Sequence, residues 1–222
     1  ARPNDIIFTS GATEANNTAF WSLIFGLYYQ RRQDKRPLKD YLPIGHIISS
    51  SIEHNSVRGT LQNLADKGVI SLTLVPPRKD GLVLTDDILG AVREDTILAS
   101  IMHANSEIGT IQPIKEIGEG IGALNKNRGD NKICFHSDIV QTFQYLPVKV
   151  DDLKVDLASV SCHKIYGPKG VGALYVRRGT PFAPYQTGGH QQNNYRGGTT
   201  PTPLAAGFGR AVELLKTEEH ME

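Results

Sequence analysis

The sequence predicts an α/β fold in three layers, with helices on both faces of a mainly parallel mixed sheet of about seven strands. Short apolar runs alternate along the chain with longer segments whose apolar residues recur at helical spacing. Several of these runs are almost continuously apolar, which indicates strands buried on both faces. Such alternation is typical of a sheet that is covered by helices.

The length of 222 residues suits one domain, or one large domain with a fragment of another, and the composition, with 39% hydrophobic and 21% charged residues, is that of an ordinary globular protein. The net charge of +1 gives no electrostatic reason to expect a nucleic acid or a membrane surface as partner. The longest apolar stretch, 19–29, is shorter than the roughly 20 residues that span a bilayer. Only two cysteines occur, Cys134 and Cys162, so we expect no disulfide framework and a cytoplasmic protein.

The first two elements form a strand followed by a helix. The apolar run 6–9 predicts a strand, and helical spacing continues from the small residues after it to about Tyr29. We expect Thr9 or Ser10 to cap this helix. A helix N-terminus that follows a strand can bind phosphate, although an ordinary strand-to-helix turn would have the same residues.

The remaining elements continue the alternation. Residues 30–45 are charged and contain two prolines, which predicts a surface loop. Strands are expected at 46–50, 72–75, 96–102, from 133 to a polar end at 136–138, at 155–160 and at 171–176. Helices are expected from about 55 to 67, 85 to 93 with a Thr85-Asp86-Asp87 cap, 114 to 126 and 203 to 215. The glycine-rich stretch 187–199 predicts a long loop that is either functional or disordered.

Polar residues follow several of the predicted strands: Thr13, His54, Ser106, Asp138 and Lys164. Because the carboxyl ends of parallel strands share one edge of a sheet, these side chains could face one crevice. Each alone also has a structural explanation, such as a surface lysine, a hydrogen-bonding histidine or an acid paired with an arginine, and for the lysine and the histidine alone the structural role is favoured. Together they suit pyridoxal 5'-phosphate, which needs a phosphate site, an acid for its ring nitrogen and a lysine for a Schiff base.

Six blocks resemble, in order, those of the NifS-like cysteine desulfurases, which are class V enzymes of the fold type I pyridoxal phosphate group. The blocks are FTSGATEANN, SSIEHNSV, IMHANSEIGTIQPI, FHSDIVQ, CHKIYGPKGVGALYVRRG and RGGTTP. The resemblance implies that Lys164 is the catalytic Schiff-base lysine, that Asp138 pairs with the ring nitrogen and that Gln141 donates to the phenolic oxygen. It implies that His54 stacks on the ring and shuttles protons.

The resemblance also implies a site without metal and a homodimer. The remaining cofactor residues that it implies are Ala12, Thr13, Ser161 and His163 at the phosphate, Ser106 near cofactor and substrate, and Thr199 at the phosphate of the other subunit.

The reaction that the resemblance implies converts L-cysteine to L-alanine and passes sulfur to an enzyme cysteine as a persulfide. An iron-sulfur scaffold or another sulfur acceptor would then be the partner. In this family the attacking cysteine and the arginine that holds the substrate carboxylate lie in a small domain beyond the position of Glu222. We therefore expect this chain to be the large domain, without the N-terminal arm and the small domain, and we expect Cys134 and Cys162 to be structural.

Two departures from the family pattern leave the substrate open. Ser106 stands where most relatives have asparagine, and His190-Gln191-Gln192-Asn193 replaces a glycine, glutamine, glutamate and arginine. The alternatives are a selenocysteine lyase or another class V enzyme, and a catalytically incomplete interaction module.

Overall fold

The structure is a computed structural model that describes residues 1–32 and 37–218. Part of the predicted loop, residues 33–36, lies outside the described residues. The strands are β1 (Ile6–Thr9), β2 (His46–Ser50), β3 (Ser71–Val75), β4 (Thr96–Ser100), β5 (Ala104–Asn105), β6 (Thr110–Ile111), β7 (Cys134–Asp138), β8 (Leu157–Ser161) and β9 (Gly172–Val176). The helices are α1 (Ala12–Arg31), α2 (Asn55–Asp66), α3 (Thr85–Gly90), α4 (Ile114–Asn125) and α5 (Thr202–Glu218).

Seven of the described strands form one mixed sheet in the order β1-β9-β8-β7-β4-β2-β3. The neighbours from β8 to β3 are parallel, whereas β9 is antiparallel to both β1 and β8. Strand β9 therefore runs against the other six, whose carboxyl ends meet at one edge. The predicted three-layer fold with a mainly parallel mixed sheet is confirmed.

Two apolar clusters cover the two faces of the sheet. One contains Phe20 and Leu23 of α1 and Leu61 of α2, packed against one face. The other contains Ile117 of α4 and Phe208 of α5, packed against the opposite face. The strands between them are buried on both sides, as their continuous apolar runs predict. None of the helices in the described part of the chain has the length and apolarity that crossing a membrane requires.

Local capping differs from the prediction at two helices. Gly11, rather than Thr9 or Ser10, is the N-cap of α1, and no side chain accepts a hydrogen bond there. Helix α3 follows Leu84, also without a side-chain cap, and ends at Gly90 instead of near residue 93. The expected caps were wrong, and at α1 the Thr9 hydroxyl instead donates to the Gly11 carbonyl, 2.9 Å away.

Gly172 allows β9 to approach the turn between β1 and α1. A Cβ at this position would lie 2.7 Å from the carbonyl carbon of Gly11 and 2.7 Å from the carbonyl oxygen of Val160. Both are backbone atoms, so neither can rotate away. The missing side chain therefore fixes the position of the α1 N-terminus relative to the sheet.

We expect Gly172→Ala to lower the free energy of unfolding by about 1–3 kcal/mol, the usual cost of overpacking. The matched control is Gly122→Ala, at an exposed position of α4 where a Cβ would meet no atom within 4 Å. Alanine should stabilise the chain there by roughly 0.5–1 kcal/mol, because glycine is a poor helix former. Urea unfolding of the two variants measures both effects, and equal stability would contradict the packing argument.

Candidate active site

A cavity of about 950 Å³ opens at the shared carboxyl edge of the sheet. Nine of the ten predicted cofactor residues line it: Ala12, Thr13, His54, Ser106, Asp138, Gln141, Ser161, His163 and Lys164. The tenth, Thr199, is exposed and lies outside this lining. The structure thus brings together residues that are up to 152 positions apart, counting from Ala12 to Lys164.

One end of the cavity can hold an anion. The first turn of α1 begins at the uncapped Gly11, whose φ of 155° favours glycine, so its backbone N–H groups have no competing side-chain acceptor. The Ser161 hydroxyl and Nδ1 of His163 lie 2.8 Å apart on the same lining. A helix N-terminus with a hydroxyl and an imidazole nearby provides the donors that a phosphate requires.

Lys164 lies in a short 3-10 helix, Cys162–Ile165, directly after β8. This turn ends at Tyr166, which has a left-handed backbone conformation with φ of 60°. The Lys164 side chain is exposed to the cavity, and its amine forms no hydrogen bond or ion pair with the residues that the structure describes. An amine without a partner at a ligand cavity is available for reaction with a carbonyl group.

Asp138, at the end of β7, carries a buried carboxyl group. Its Oδ2 accepts a hydrogen bond from Nδ2 of Asn16 at 2.9 Å, and its Oδ1 accepts one from the Val140 amide at 3.1 Å. Burial raises the pKa of Asp138 despite these hydrogen bonds. No lysine or arginine within residues 1–32 and 37–218 forms an ion pair with it. A protonated ring nitrogen in the cavity would supply the missing positive charge, so the acid fits a pyridine cofactor.

Asn16 connects Asp138 to His54. The second hydrogen of the Asn16 amide is donated to Oγ of Ser56 at 2.8 Å, and Ser56 Oγ lies 2.8 Å from Nδ1 of His54. The Ser56 backbone amide also donates to this nitrogen, at 3.1 Å. Because Nδ1 is an acceptor, the neutral imidazole carries its proton on Nε2. The ring is exposed at the cavity, in an orientation set by the N-terminus of α2.

Sequence reasoning missed Asn16, Ser56 and Glu53. Asn16 is fully buried, but it lies in a polar part of α1 beside Asn17 and Thr18, so the local sequence has no signal that distinguishes it from its neighbours. Glu53 is 6% exposed and lines the cavity. Its Oε1 accepts from Oγ of Ser50 at 2.6 Å and from the Met102 amide at 2.8 Å. Burial raises the pKa of Glu53 to about 8, and the charge of Asp138 adds to this effect.

The glycine-rich loop 187–199 is attached to the first turn of α1. Nε and Nη2 of Arg196 donate to the two carboxylate oxygens of Glu14 at 2.8 and 3.3 Å, and both side chains are about 15% exposed. Burial raises the pKa of Glu14, but the hydrogen bonds from Arg196 and Ser10 outweigh burial and leave this pKa below its ordinary value. The amide of Gln192 pairs with both backbone groups of Phe8, at 2.6 and 2.9 Å. The loop is therefore ordered by two separate contacts.

Both cysteines are buried and free. Burial raises the pKa of the Cys134 thiol and that of the Cys162 thiol. A buried thiol with a raised pKa is a poor nucleophile, because the thiolate is the reactive form. Neither residue lines the cavity, so a structural role fits both.

We expect Arg196→Ala to lower the free energy of unfolding by about 1–3 kcal/mol, because the mostly buried Glu14 carboxylate loses its charged partner. The control is Arg210→Ala, which removes an ion pair with Glu213 in which both side chains are more than two-thirds exposed. That change should cost less than about 1 kcal/mol. Chemical denaturation measures the two values, and hydrogen exchange of the Gly197 amide reports whether the loop has loosened. If Arg196→Ala changes neither the free energy of unfolding nor the exchange of the Gly197 amide, the proposed attachment of the loop to α1 is contradicted.

A family model described as Aminotransferase class-V matches residues 1–222. The cysteine desulfurase IscS of Dictyoglomus turgidum is 45% identical over 222 residues, which are 100% of this chain and 51% of that protein. The mitochondrial cysteine desulfurase of Candida albicans is 42% identical over 224 residues, which cover 100% of this chain and 42% of the relative.

A solved structure described as SspA in complex with cysteine has a TM-score of 0.81 and 41% identity, and the match covers 96% of this chain and 56% of that one. The chain thus spans about half the length of the relatives that it matches. Since the family model extends from its first residue to its last and the same fold recurs at 41% identity, this chain belongs to the class V aminotransferase family.

Proposed function

We propose that this chain is the cofactor-binding part of a pyridoxal phosphate-dependent cysteine desulfurase, which converts L-cysteine to L-alanine and transfers the sulfur to a thiol. The observation that carries the proposal is the convergence of an unpaired lysine, a buried acid and an uncapped helix N-terminus on one cavity. Two relatives that match the whole chain are named cysteine desulfurases, and a similar structure is described as a complex with cysteine.

Nine residues of the cavity would hold the cofactor. Ala12 and Thr13, with Ser161 and His163, supply donors for the phosphate. Asp138 would keep the ring nitrogen protonated, Gln141 would donate to the phenolic oxygen, and His54 would cover one face of the ring. Lys164 is the proposed covalent anchor, and Ser106 would lie near the cofactor and the substrate. When it is bound, pyridoxal phosphate supplies an electron sink for a carbanion at the substrate α-carbon.

The proton transfers fall to Lys164 and His54. Lys164 Nζ has no competing partner among the described residues, so it can take the proton from the substrate α-carbon and later return one. His54 carries a proton on Nε2 because Ser56 donates to its Nδ1, so the ring can donate toward the substrate. Asn16 links His54, through Ser56, to Asp138 and thereby fixes both groups relative to each other.

The thiol that accepts sulfur is not supplied by Cys134 or Cys162, since both are buried outside the cavity. In the proposed transfer, a thiolate attacks the sulfur of L-cysteine and the carbon-sulfur bond breaks. The electron pair of that bond remains with carbon, which takes up a proton and becomes alanine. The attacking sulfur and the transferred sulfur form a persulfide, so no external oxidant or reductant is needed.

The proposed assembly is a homodimer in which Thr199 serves the cavity of the partner subunit. This assignment is supported by the exposure of Thr199 and by its position outside the lining of the cavity of its own chain. We propose a reducing compartment, such as the cytoplasm, because both cysteines are free. The Candida albicans relative is named as mitochondrial, and that compartment fits free thiols equally well. An iron-sulfur scaffold or another acceptor protein would then receive the persulfide.

We expect the complete protein to bind pyridoxal phosphate with an absorbance band near the visible edge, and borohydride to fix the cofactor to Lys164. In Lys164→Ala the trapped adduct should be absent, because the reactive amine is gone. Lys169→Ala is the matched control, since Lys169 lines the same cavity and should leave the adduct intact. Peptide mass spectrometry after reduction locates the modification. A trapped adduct that persists in Lys164→Ala would overturn the assignment of the anchor.

We expect the complete protein to form alanine from L-cysteine and to carry a persulfide afterwards. Lys164→Ala should reduce the rate by at least about 10²-fold, which is the usual contribution of a general base. The persulfide should persist in Cys162→Ala, because this thiol is buried. Turnover of selenocysteine without a protein persulfide would instead support a lyase, and absence of turnover with either amino acid would support a non-catalytic module.

A further inference from the structure

Glu53 is a buried acid of the cavity for which the proposed cofactor chemistry has no role. It lies between the end of β2 and His54, where the backbone turns toward α2. Its Oε1 accepts hydrogen bonds from Ser50, at the end of β2, and from the Met102 amide, just beyond β4. These two contacts hold the carboxyl group in one orientation.

The second carboxyl oxygen of Glu53 is unsatisfied. Oε2 is buried and has no hydrogen-bond partner among the residues that the structure describes. An orphaned polar atom in a protein interior is costly unless a ligand or water completes it. Glu53 lines the candidate cavity, so a bound molecule is the natural partner for this atom.

The surroundings of Glu53 favour its neutral form. Burial is the main cause of its raised pKa, and Asp138 on β7 contributes with its negative charge, while Ser50 and the Met102 amide act in the opposite direction. Asp138 is itself the group that a protonated ring nitrogen would neutralise. Asp138 has a donor on each of its oxygens, whereas Oε2 of Glu53 has none among the described residues, so the proton belongs on Glu53.

We propose that Glu53 is a ligand-binding residue of this site, which remains neutral and donates a hydrogen bond from Oε2 to an oxygen atom of the molecule bound beside Asp138. This role rests on the proposed function, and it adds one hydrogen-bond donor to the proposed cofactor site. The Ser50 and Met102 contacts act on Oε1 alone, so a hydroxyl hydrogen on Oε2 has no acceptor among the described residues.

The affinity of the protein for pyridoxal phosphate tests whether Glu53 donates a hydrogen bond to the bound molecule. Glu53→Gln keeps an acceptor for Ser50 and Met102 and replaces the hydroxyl with an amide donor, so it should bind the cofactor within about threefold of the unchanged protein. Glu53→Met has similar size and no polar atom for this contact, and should bind at least about tenfold more weakly. Titration of the visible absorbance band measures both affinities in the complete protein.

Ser50→Ala distinguishes loss of the Glu53 donor from loosening of the surrounding loops. It removes one hydrogen bond to Oε1 and leaves Oε2 unchanged. It should bind pyridoxal phosphate within about threefold of the unchanged protein. Equal weakening in Ser50→Ala and Glu53→Met would overturn the proposal, because the loss would then come from loosened loops. Cofactor affinity that is unchanged in Glu53→Met would overturn it as well.

The stability of the cofactor-free protein tests the neutral state independently of any ligand. Between pH 5 and 8 the unfolded chain loses the Glu53 proton and the folded chain keeps it. The ratio of folded to unfolded protein should therefore fall with rising pH by up to about tenfold per pH unit relative to Glu53→Gln.

If the stability of the unchanged protein and that of Glu53→Gln depend on pH in the same way, the proposal is overturned. The two assignments can also fail separately. If the unchanged protein shows no absorbance band with pyridoxal phosphate but its stability depends on pH differently from that of Glu53→Gln, the proposed cofactor is wrong and the neutral state of Glu53 is still supported.

Discussion

The direction of the strands is the constraint on which the site depends. Strand β9 runs against the other six strands of the sheet, so the carboxyl ends of β2, β4, β7 and β8 meet at one edge. Each of these strands is followed by a turn that projects polar side chains into the same space. The close approach of Gly172 to the Gly11 turn then brings the N-terminus of α1 to that edge. The cavity is thus a direct product of topology and of one missing side chain.

Burial of acids beneath this edge opposes the stability of the fold. Asp138 and Glu53 are both nearly inaccessible, and burial raises the pKa of each. Neither forms an ion pair with a lysine or arginine of the described residues, although neutral donors hold three of the four carboxyl oxygens. A site that keeps two buried acids, one of them with an unsatisfied oxygen, in the same cavity as a lysine without a partner among the described residues is arranged for a ligand rather than for stability.

The sequence predicted the fold and nine members of the lining because both follow from short-range patterns. Apolar runs revealed the strands, and the resemblance attached roles to residues such as Lys164 and Asp138 at their ends. The pattern could not reveal Asn16, because its hydrogen bonds to Ser56 and Asp138 join residues 40 and 122 positions away. The sequence did not identify Glu53 for a similar reason, since its partner Met102 lies 49 positions along the chain. The helix caps were wrong because the turn geometry, rather than the presence of Thr or Ser, determines which residue is the cap.

The glycine-rich loop explains how this chain tolerates its departure from the family pattern. Gln192, at a position where the family resemblance implies a glutamate, uses its amide both to accept from the Phe8 N–H and to donate to the Phe8 carbonyl. A carboxylate can only accept, so it could not make the second contact. Asn193 correspondingly has no charge to contribute, and the adjacent Arg196 retains its ion pair with Glu14. Without that charged pair the loop lacks one electrostatic feature, but it stays attached to β1 through Gln192 and to the first turn of α1 through Arg196, at the edge of the cavity.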